Sequence, residues 1–172
     1  NGATDSPVAK QPSSEEVAGE EFVRIRRGET LAGFRVEEKL GEGAMAVVYK
    51  ATQLSLNRPV ALKILPRRMV NNEKFVEMFD KESDALAALN HPNIVGIIDR
   101  GRVDSTYFFA MEYVHGTDLL EMMKPNRLCP EFFVIRIMKQ SCEGLKYAHD
   151  KGIIHRDIKP GNIMLTKQGR AV

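Results

Sequence analysis

Cysteine is scarce in this chain of 172 residues, which has two, Cys129 and Cys142. Two lone thiols make no disulfide framework, and neither sits at metal-ligand spacing from a partner, so a stapled secreted scaffold and a cysteine metal site are excluded. Long hydrophobic runs are missing as well. Charges interrupt every apolar stretch before it reaches the length of a membrane span, and no basic-then-apolar leader opens the chain. The segment therefore reads as soluble and cytoplasmic, with a membrane anchor outside its ends left open. A strong charge of either sign is also absent. The net charge is +2, with four basic and six acidic side chains in residues 1–30 and 21 against 17 in the rest. So small a surplus argues against nucleic-acid binding, although a few local cations suffice to hold a polyphosphate. No internal repeat is visible. The length suits one domain with a proper core, or part of a larger one.

What is present divides into a leader, a strand-rich part and a helix-rich part. Residues 1–30 are rich in Ser, Pro, Ala and Glu without a period, which predicts a disordered leader, and the first residue is Asn rather than Met, as in a chain that starts inside a gene product. Order is expected from near Phe34. Alternation predicts strands over 34–40, 47–51 and 59–65. A helix is expected from about Asn72 to Asn90, with Phe75, Phe79, Leu86 and Leu89 on one face and His91-Pro92 as its stop. A further strand pair is expected over 94–100 and 106–113, turning at Asp104-Ser105. Pro130 to Lys151 reads as a long amphipathic helix ended by Gly152. On that helix Cys142 shares a stripe with Val134, Met138 and Leu145, which predicts a buried structural thiol. Strands first and helices later predict an α+β fold of two lobes.

Three motifs carry chemistry. The run His155-Arg156-Asp157-Ile158-Lys159-Pro160-Gly161-Asn162 places an aspartate beside a basic residue, where it stays ionised and can accept a hydroxyl proton. Lys159 can face a phosphoryl group, and Asn162 offers a neutral oxygen to a hard metal ion such as Mg²⁺. An ordinary polar turn with a Pro-Gly breaker is the plain alternative. Gly41-Glu42-Gly43-Ala44-Met45-Ala46-Val47-Val48 lies between two strands, and glycines there let backbone N–H groups approach phosphates. A common hairpin would look similar. Val60-Ala61-Leu62-Lys63 ends an apolar strand on a lysine, whose charge could be met by Glu77, Glu82 or Asp84 of the next helix.

Together, and in their order along the chain, these strings resemble the protein kinase family, and GEGAMAVVYKA with HRDIKPGNIML is most similar to bacterial serine/threonine kinases related to eukaryotic ones. The resemblance runs from Phe34 to Val172 and implies the protein-kinase-like α+β fold. In it, a complete antiparallel small-lobe sheet with one helix spans about 31–111, a hinge about 112–116, and the first part of a helical lobe 117–172. It implies transfer of the γ-phosphate of ATP to Ser/Thr hydroxyls of protein substrates, with Mg²⁺. Asp157 would be the base or orienting group, Lys159 would steady the γ-phosphate, and Asn162 would bind Mg²⁺. Lys63 would hold the α- and β-phosphates and pair with Glu82. The glycine-rich stretch, Gly41 through Ala46, would cover the phosphates. Adenine would take its two hydrogen bonds from the Glu112 carbonyl and the Val114 amide, with Met111 as gatekeeper, Val48 and Ala61 above and Met164 below. Asp118 would meet the ribose. His155 and His149 read as structural.

Two departures stand out. The third glycine of the phosphate loop is Ala46. The chain also stops at Val172, where the family runs on into an Asp-Phe-Gly motif expected to bring a second Mg²⁺ ligand. An incomplete kinase is the reading that follows, inactive by itself and with the long helix's apolar face bare. The alternative is a non-catalytic kinase-like module that binds nucleotide or a partner protein. A small-molecule phosphotransferase of similar fold is disfavoured by the complete HRDIKPGN string.

Overall fold

A computed structural model describes residues 24–43, 46–65, 86–104, 106–124 and 129–172. Alternating residues build the first part. β1 (Thr30–Leu31), β2 (Phe34–Gly43), β3 (Ala46–Gln53), β4 (Arg58–Ile64), β5 (Ile97–Val103) and β6 (Thr106–Glu112) form one six-stranded sheet in the order β1-β2-β3-β4-β6-β5. Every pairing within it is antiparallel. In β4, Val60, Leu62 and Ile64 are fully buried, while Ala61 and Lys63 point to the other face and stay half-buried. Period-2 alternation makes this separation automatic. The buried face joins Phe34, Val36, Val47, Tyr49, Phe108 and Ala110 in one core, with the Phe34 and Phe108 rings edge-to-face at 5.8 Å. Hydrophobic burial of this face holds the sheet together, at about 1.5–3 kcal/mol for each large side chain.

Order starts earlier than Phe34. Ile25 and Leu31 pack on the core, the Gly28 N–H donates to the Val36 carbonyl at 2.8 Å, and the Val36 N–H donates to the Glu29 carbonyl at 2.9 Å. One apolar side chain and two backbone bonds hold residues 24–30, a signal too sparse for periodicity to register. Between β1 and β2, Ala32 and Gly33 both have positive φ, 49° and 85°. That is the geometry of the two-residue turn whose twist matches the flanking strands.

The second part is helical. β7 (Gly116–Asp118) leads into the short helix α1 (Leu119–Met122), whose first turn is capped by Asp118. Helix α2 (Glu131–Asp150) follows, then a 3-10 turn over Pro160–Asn162 and β8 (Met164–Thr166), which pairs with β7. Gly152 ends α2 as expected, at φ 77°. Its N–H donates to the His149 carbonyl at 2.8 Å and the Ile153 N–H to the Ala148 carbonyl at 3.0 Å, so both orphan carbonyls are satisfied. The helix expected from Asn72 lies mostly outside the described residues.

Two expectations are corrected here. Cys142 is exposed, as are Val134 and Met138. The stripe that packs is Ile137, Gly144 and Ala148, with Ser141 half-buried among them. Helix α2 is apolar on two neighbouring stripes about 100° apart, and periodicity alone does not say which one is covered. The second correction is the start of β5, which begins at Ile97 rather than Ile94. Residues 91–94 instead form a turn that docks on α2, where a Cβ on Gly144 would lie 2.8 Å from the Asn93 carbonyl oxygen.

Gly116 is required by close approach. A Cβ there would come to 2.1 Å from the Leu165 carbonyl oxygen, a backbone atom that cannot swing aside. Gly116→Ala is expected to push β7 off β8 and to cost about 1–3 kcal/mol, the usual penalty of overpacking. Urea denaturation of the two proteins checks it through the shift in midpoint.

Candidate active site

The face of the sheet opposite its core carries the first group of predicted residues. Val48 stands opposite Lys63 in the β3–β4 ladder, Ala61 opposite Met111 in the β4–β6 ladder, and Gly41 opposite Val48 in the β2–β3 ladder. Directly opposed residues share a face, so register alone gathers Val48, Ala61, Lys63 and Met111 on one surface, each half-buried. Burial lowers the pKa of the Lys63 ammonium, and the Asp157 carboxylate opposes that shift. Asp157 therefore lies within electrostatic range of the half-buried Lys63. Glu82, expected to pair with Lys63, lies outside the described residues, as do Glu77 and Asp84.

Glycines 41 and 43 belong to β2 itself, since that strand continues to Gly43, which pairs with Ala46 of β3. Ala44 and Met45, between them, lie outside the described residues. Neither glycine has positive φ, and a Cβ on either would meet nothing within 4 Å. Packing and backbone geometry therefore give no reason for glycine at 41 or 43. Glu42 is ion-paired with Lys39, whose hydrogen bond holds its carboxyl below the usual range. Ala46 is buried with Leu65 and Tyr107 in a small cluster at the start of β3. Its methyl is a packing group, which accounts for alanine where the resemblance expects glycine.

The catalytic-type loop is held by its own side chains. The Asp157 carboxylate accepts from Lys159 Nζ at 2.8 Å and from Asn162 Nδ2 at 3.0 Å. Asn162 Nδ2 also donates to the Asp157 carbonyl at 2.8 Å. The hydrogen bonds from Lys159 and Asn162 hold the Asp157 carboxyl below the ordinary range. With Nδ2 so committed, Asn162 leaves Oδ1 as the oxygen free to face a cation. His155 is exposed rather than packed, and its Nδ1 accepts the Asp157 N–H at 3.3 Å. His149 is exposed too. Arg156 adopts φ 63°, a left-handed conformation uncommon for a residue with a side chain.

At the hinge the Glu112 N–H donates to the Gly96 carbonyl at 2.9 Å, so that amide is committed to the segment behind it. Asp118 spends one carboxylate oxygen on the Glu121 N–H at 2.8 Å, and the other has no hydrogen-bond partner among the described residues. Met164 is half-buried and pairs with Asp118. Sequence reasoning passed over two groups here. Lys50 lies 5.4 Å over the Tyr113 ring and within 3.3 Å of Glu37, so β3 braces the hinge. Its parity with Val48 was the available signal. Asn93 and Gln140 meet at Ala171, with nothing local in the sequence to announce it.

A profile described as "Protein kinase domain" matches residues 34–171. The chain belongs to the protein kinase family. Similar kinases include the serine/threonine-protein kinase pkn3 of Myxococcus xanthus, 43% identical over 140 residues that make up 80% of this chain and 26% of that protein. The serine/threonine-protein kinase PrkC of Bacillus subtilis is 38% identical over 143 residues, 83% of this chain and 22% of that protein. The chain thus spans about a quarter of the length of these two kinases. Among solved structures, the kinase domain of Mycobacterium tuberculosis PknI superposes with a TM-score of 0.77 at 34% identity, covering 86% of this chain and 61% of that one. The fold is the protein-kinase fold, and this family generally uses ATP and Mg²⁺. No described helix is long and apolar enough to cross a membrane.

Proposed function

We propose that this chain contributes the nucleotide-binding cleft and catalytic loop of a kinase that moves the γ-phosphate of ATP to Ser or Thr hydroxyls of proteins. One observation carries the reading. The Asp157 carboxylate, bonded in one loop to Lys159 at 2.8 Å and to Asn162 at 3.0 Å, is also the acidic group whose charge acts on the half-buried Lys63 of β4. A phosphate-holding cation, a proton acceptor and a metal-binding oxygen are the parts that phosphoryl transfer needs.

In this reading Glu112 and Val114 present backbone groups to adenine, with Met111 behind them and the ribose near the free oxygen of Asp118. Val48, Ala61 and Met164 enclose the ring. Glycines 41 and 43 leave room for the phosphates to approach backbone N–H groups, and Lys63 draws the α- and β-phosphates into line. Asp157 takes the proton of the attacking hydroxyl, and Lys159 leaves its ion pair to steady the γ-phosphate. Bound Mg²⁺ neutralises phosphate charge. Asn162 Oδ1 fits one side of its shell, and the described residues hold no cluster of three His, Cys, Asp or Glu to complete it.

Phosphate incorporation from γ-labelled ATP into a Ser/Thr protein substrate, by the full-length gene product, tests the proposal. Transfer to Ser or Thr supports it. ATP binding with no transfer favours a non-catalytic module instead.

The alanine at 46 gives a further test. Ala46→Gly removes a buried methyl and frees the backbone, at an expected cost of about 1 kcal/mol in stability. The loop should close more readily over phosphate, so a lower ATP KM or a faster turnover is expected. Steady-state kinetics and thermal melting of the two forms check both halves.

A further inference from the structure

Asn93 stands outside every role assigned above, yet it touches both helix α2, at Gln140, and Ala171, which follows β8. We propose that it is a positioning residue for phosphoryl transfer, fixing β8 and with it the Asn162–Met164 side of the cleft. The inference rests on the reading of Asn162 and Met164 as nucleotide-side residues.

Asn93 Nδ2 donates to the Ala171 carbonyl at 2.6 Å and approaches Gln140 Oε1 at 3.4 Å, while Gln140 Oε1 accepts the Ala171 N–H at 2.7 Å. Two side-chain amides thus satisfy both backbone groups of Ala171, a residue 1% exposed. The neighbouring Val172 is bonded both ways to Met164, N–H to carbonyl, at 2.8 Å each. Met164 follows Asn162 by two residues. A rigid path therefore runs from Asn93 through Ala171 and Val172 to β8 and the end of the catalytic loop.

The seat of Asn93 is itself built. Gly144 of α2 leaves the gap that its backbone carbonyl fills, 2.8 Å from where a Cβ would stand. The Asn93 N–H donates to His91 Nδ1 at 3.1 Å, and Arg170 Nη1 donates to the Pro92 carbonyl at 2.7 Å, so the same turn grips the β8 hairpin a second time. Residues 91–93 lead through Ile94, Val95 and Gly96 into β5 of the sheet, which starts at Ile97. The clamp therefore ties the sheet to the loop side of the cleft, and its loss loosens the nucleotide's seat before the chemistry.

The test compares the full-length gene product with its Asn93→Ala, Asn93→Asp and Gln140→Ala variants. Losing a hydrogen bond to a buried backbone acceptor should raise the ATP KM about tenfold in Asn93→Ala, with kcat at saturating ATP changed much less. Asn93→Asp keeps the size but cannot donate, so it should not rescue. Gln140→Ala, on the half-exposed side of α2, should raise KM in the same direction and stands in if the Asn93 variants fail to fold. Hydrogen exchange at the Met164 and Val172 amides should quicken in each. Unchanged exchange at those two amides, or an Asp variant with wild-type KM, overturns the proposal. A wild-type protein without phosphotransfer would sink the functional reading, while the exchange measurement would still decide the role of Asn93.

Discussion

Lys63→Met is expected to lower phosphoryl transfer by about 10²–10³-fold in the full-length product, the scale set by removing one preorganised electrostatic contact to a reacting group. The fold should survive. Lys63 sits in the β4 ladder between Leu62 and Ile64, both fully buried, but its own side chain lies on the cleft face. Methionine keeps the long apolar stem and close to the same volume. Stability should not fall, because burial disfavours the charged form of this lysine. The sign follows from linkage. A lysine pKa lowered in the folded state means the unfolded chain binds more protons between the folded value and the ordinary one, so wild-type stability rises with pH across that window. The methionine variant lacks this dependence. Its advantage over wild type is therefore largest below the lowered pKa and shrinks as pH rises through it. Turnover at saturating ATP, with melting at neutral and alkaline pH, checks both parts. Turnover near that of wild type would remove Lys63 from the phosphate site.

How much of this was legible in the sequence depends on the range of the interactions. In the 155–162 loop the contacts are local, since Lys159 and Asn162 both bind Asp157 within six residues, and their spacing is visible in the sequence. The sheet was legible through alternation, and its register follows once Val60, Leu62 and Ile64 must share the core. Helix α2 was found, with its glycine stop, but the wrong stripe was assigned to the interior. Val134, Met138 and Cys142 are as apolar and as regularly spaced as Ile137, Gly144 and Ala148, and only the partner distinguishes them. Gly144 is the sharper clue in retrospect, since a small residue on a helix face marks where another backbone comes close. The shifted start of β5 has the same origin. Ile94 and Val95 look like strand, but the turn before them is held by Gln140 and Ala171, which lie 47 and 78 residues from Asn93. Contacts at such separation leave no periodic trace. Residues 24–31 were missed for the opposite reason, being too short to show any period at all.

Asp157→Asn is the other large effect, expected to cut turnover by about 10²–10⁴-fold, the range for loss of a positioned general base. The affinity for ATP should stay close to that of wild type. Asparagine retains a carbonyl oxygen able to accept from Asn162 Nδ2, and the bond from that nitrogen to the backbone carbonyl of residue 157 at 2.8 Å is untouched. Asn162 Oδ1 therefore keeps its direction. What is lost is the charge that holds Lys159 and, in the proposed reading, accepts the hydroxyl proton. The pH profile carries an independent signature. Hydrogen bonds from Lys159 and Asn162 hold the Asp157 carboxyl below its ordinary value, so the carboxylate form persists as pH falls and is lost only through that lowered pKa. The acidic limb that Asp157 gives the wild-type protein should therefore be displaced below its ordinary position. Lys159→Ala removes the first of the two hydrogen bonds and should bring the limb up toward that position, in addition to any loss of turnover. Because Asp157 is exposed, the displacement should be modest and should shrink in high salt. Steady-state kinetics across pH for the three proteins, with nucleotide titration, provides the measurement. An asparagine variant that weakened ATP binding but turned over normally would show that Asp157 is a nucleotide ligand rather than the base.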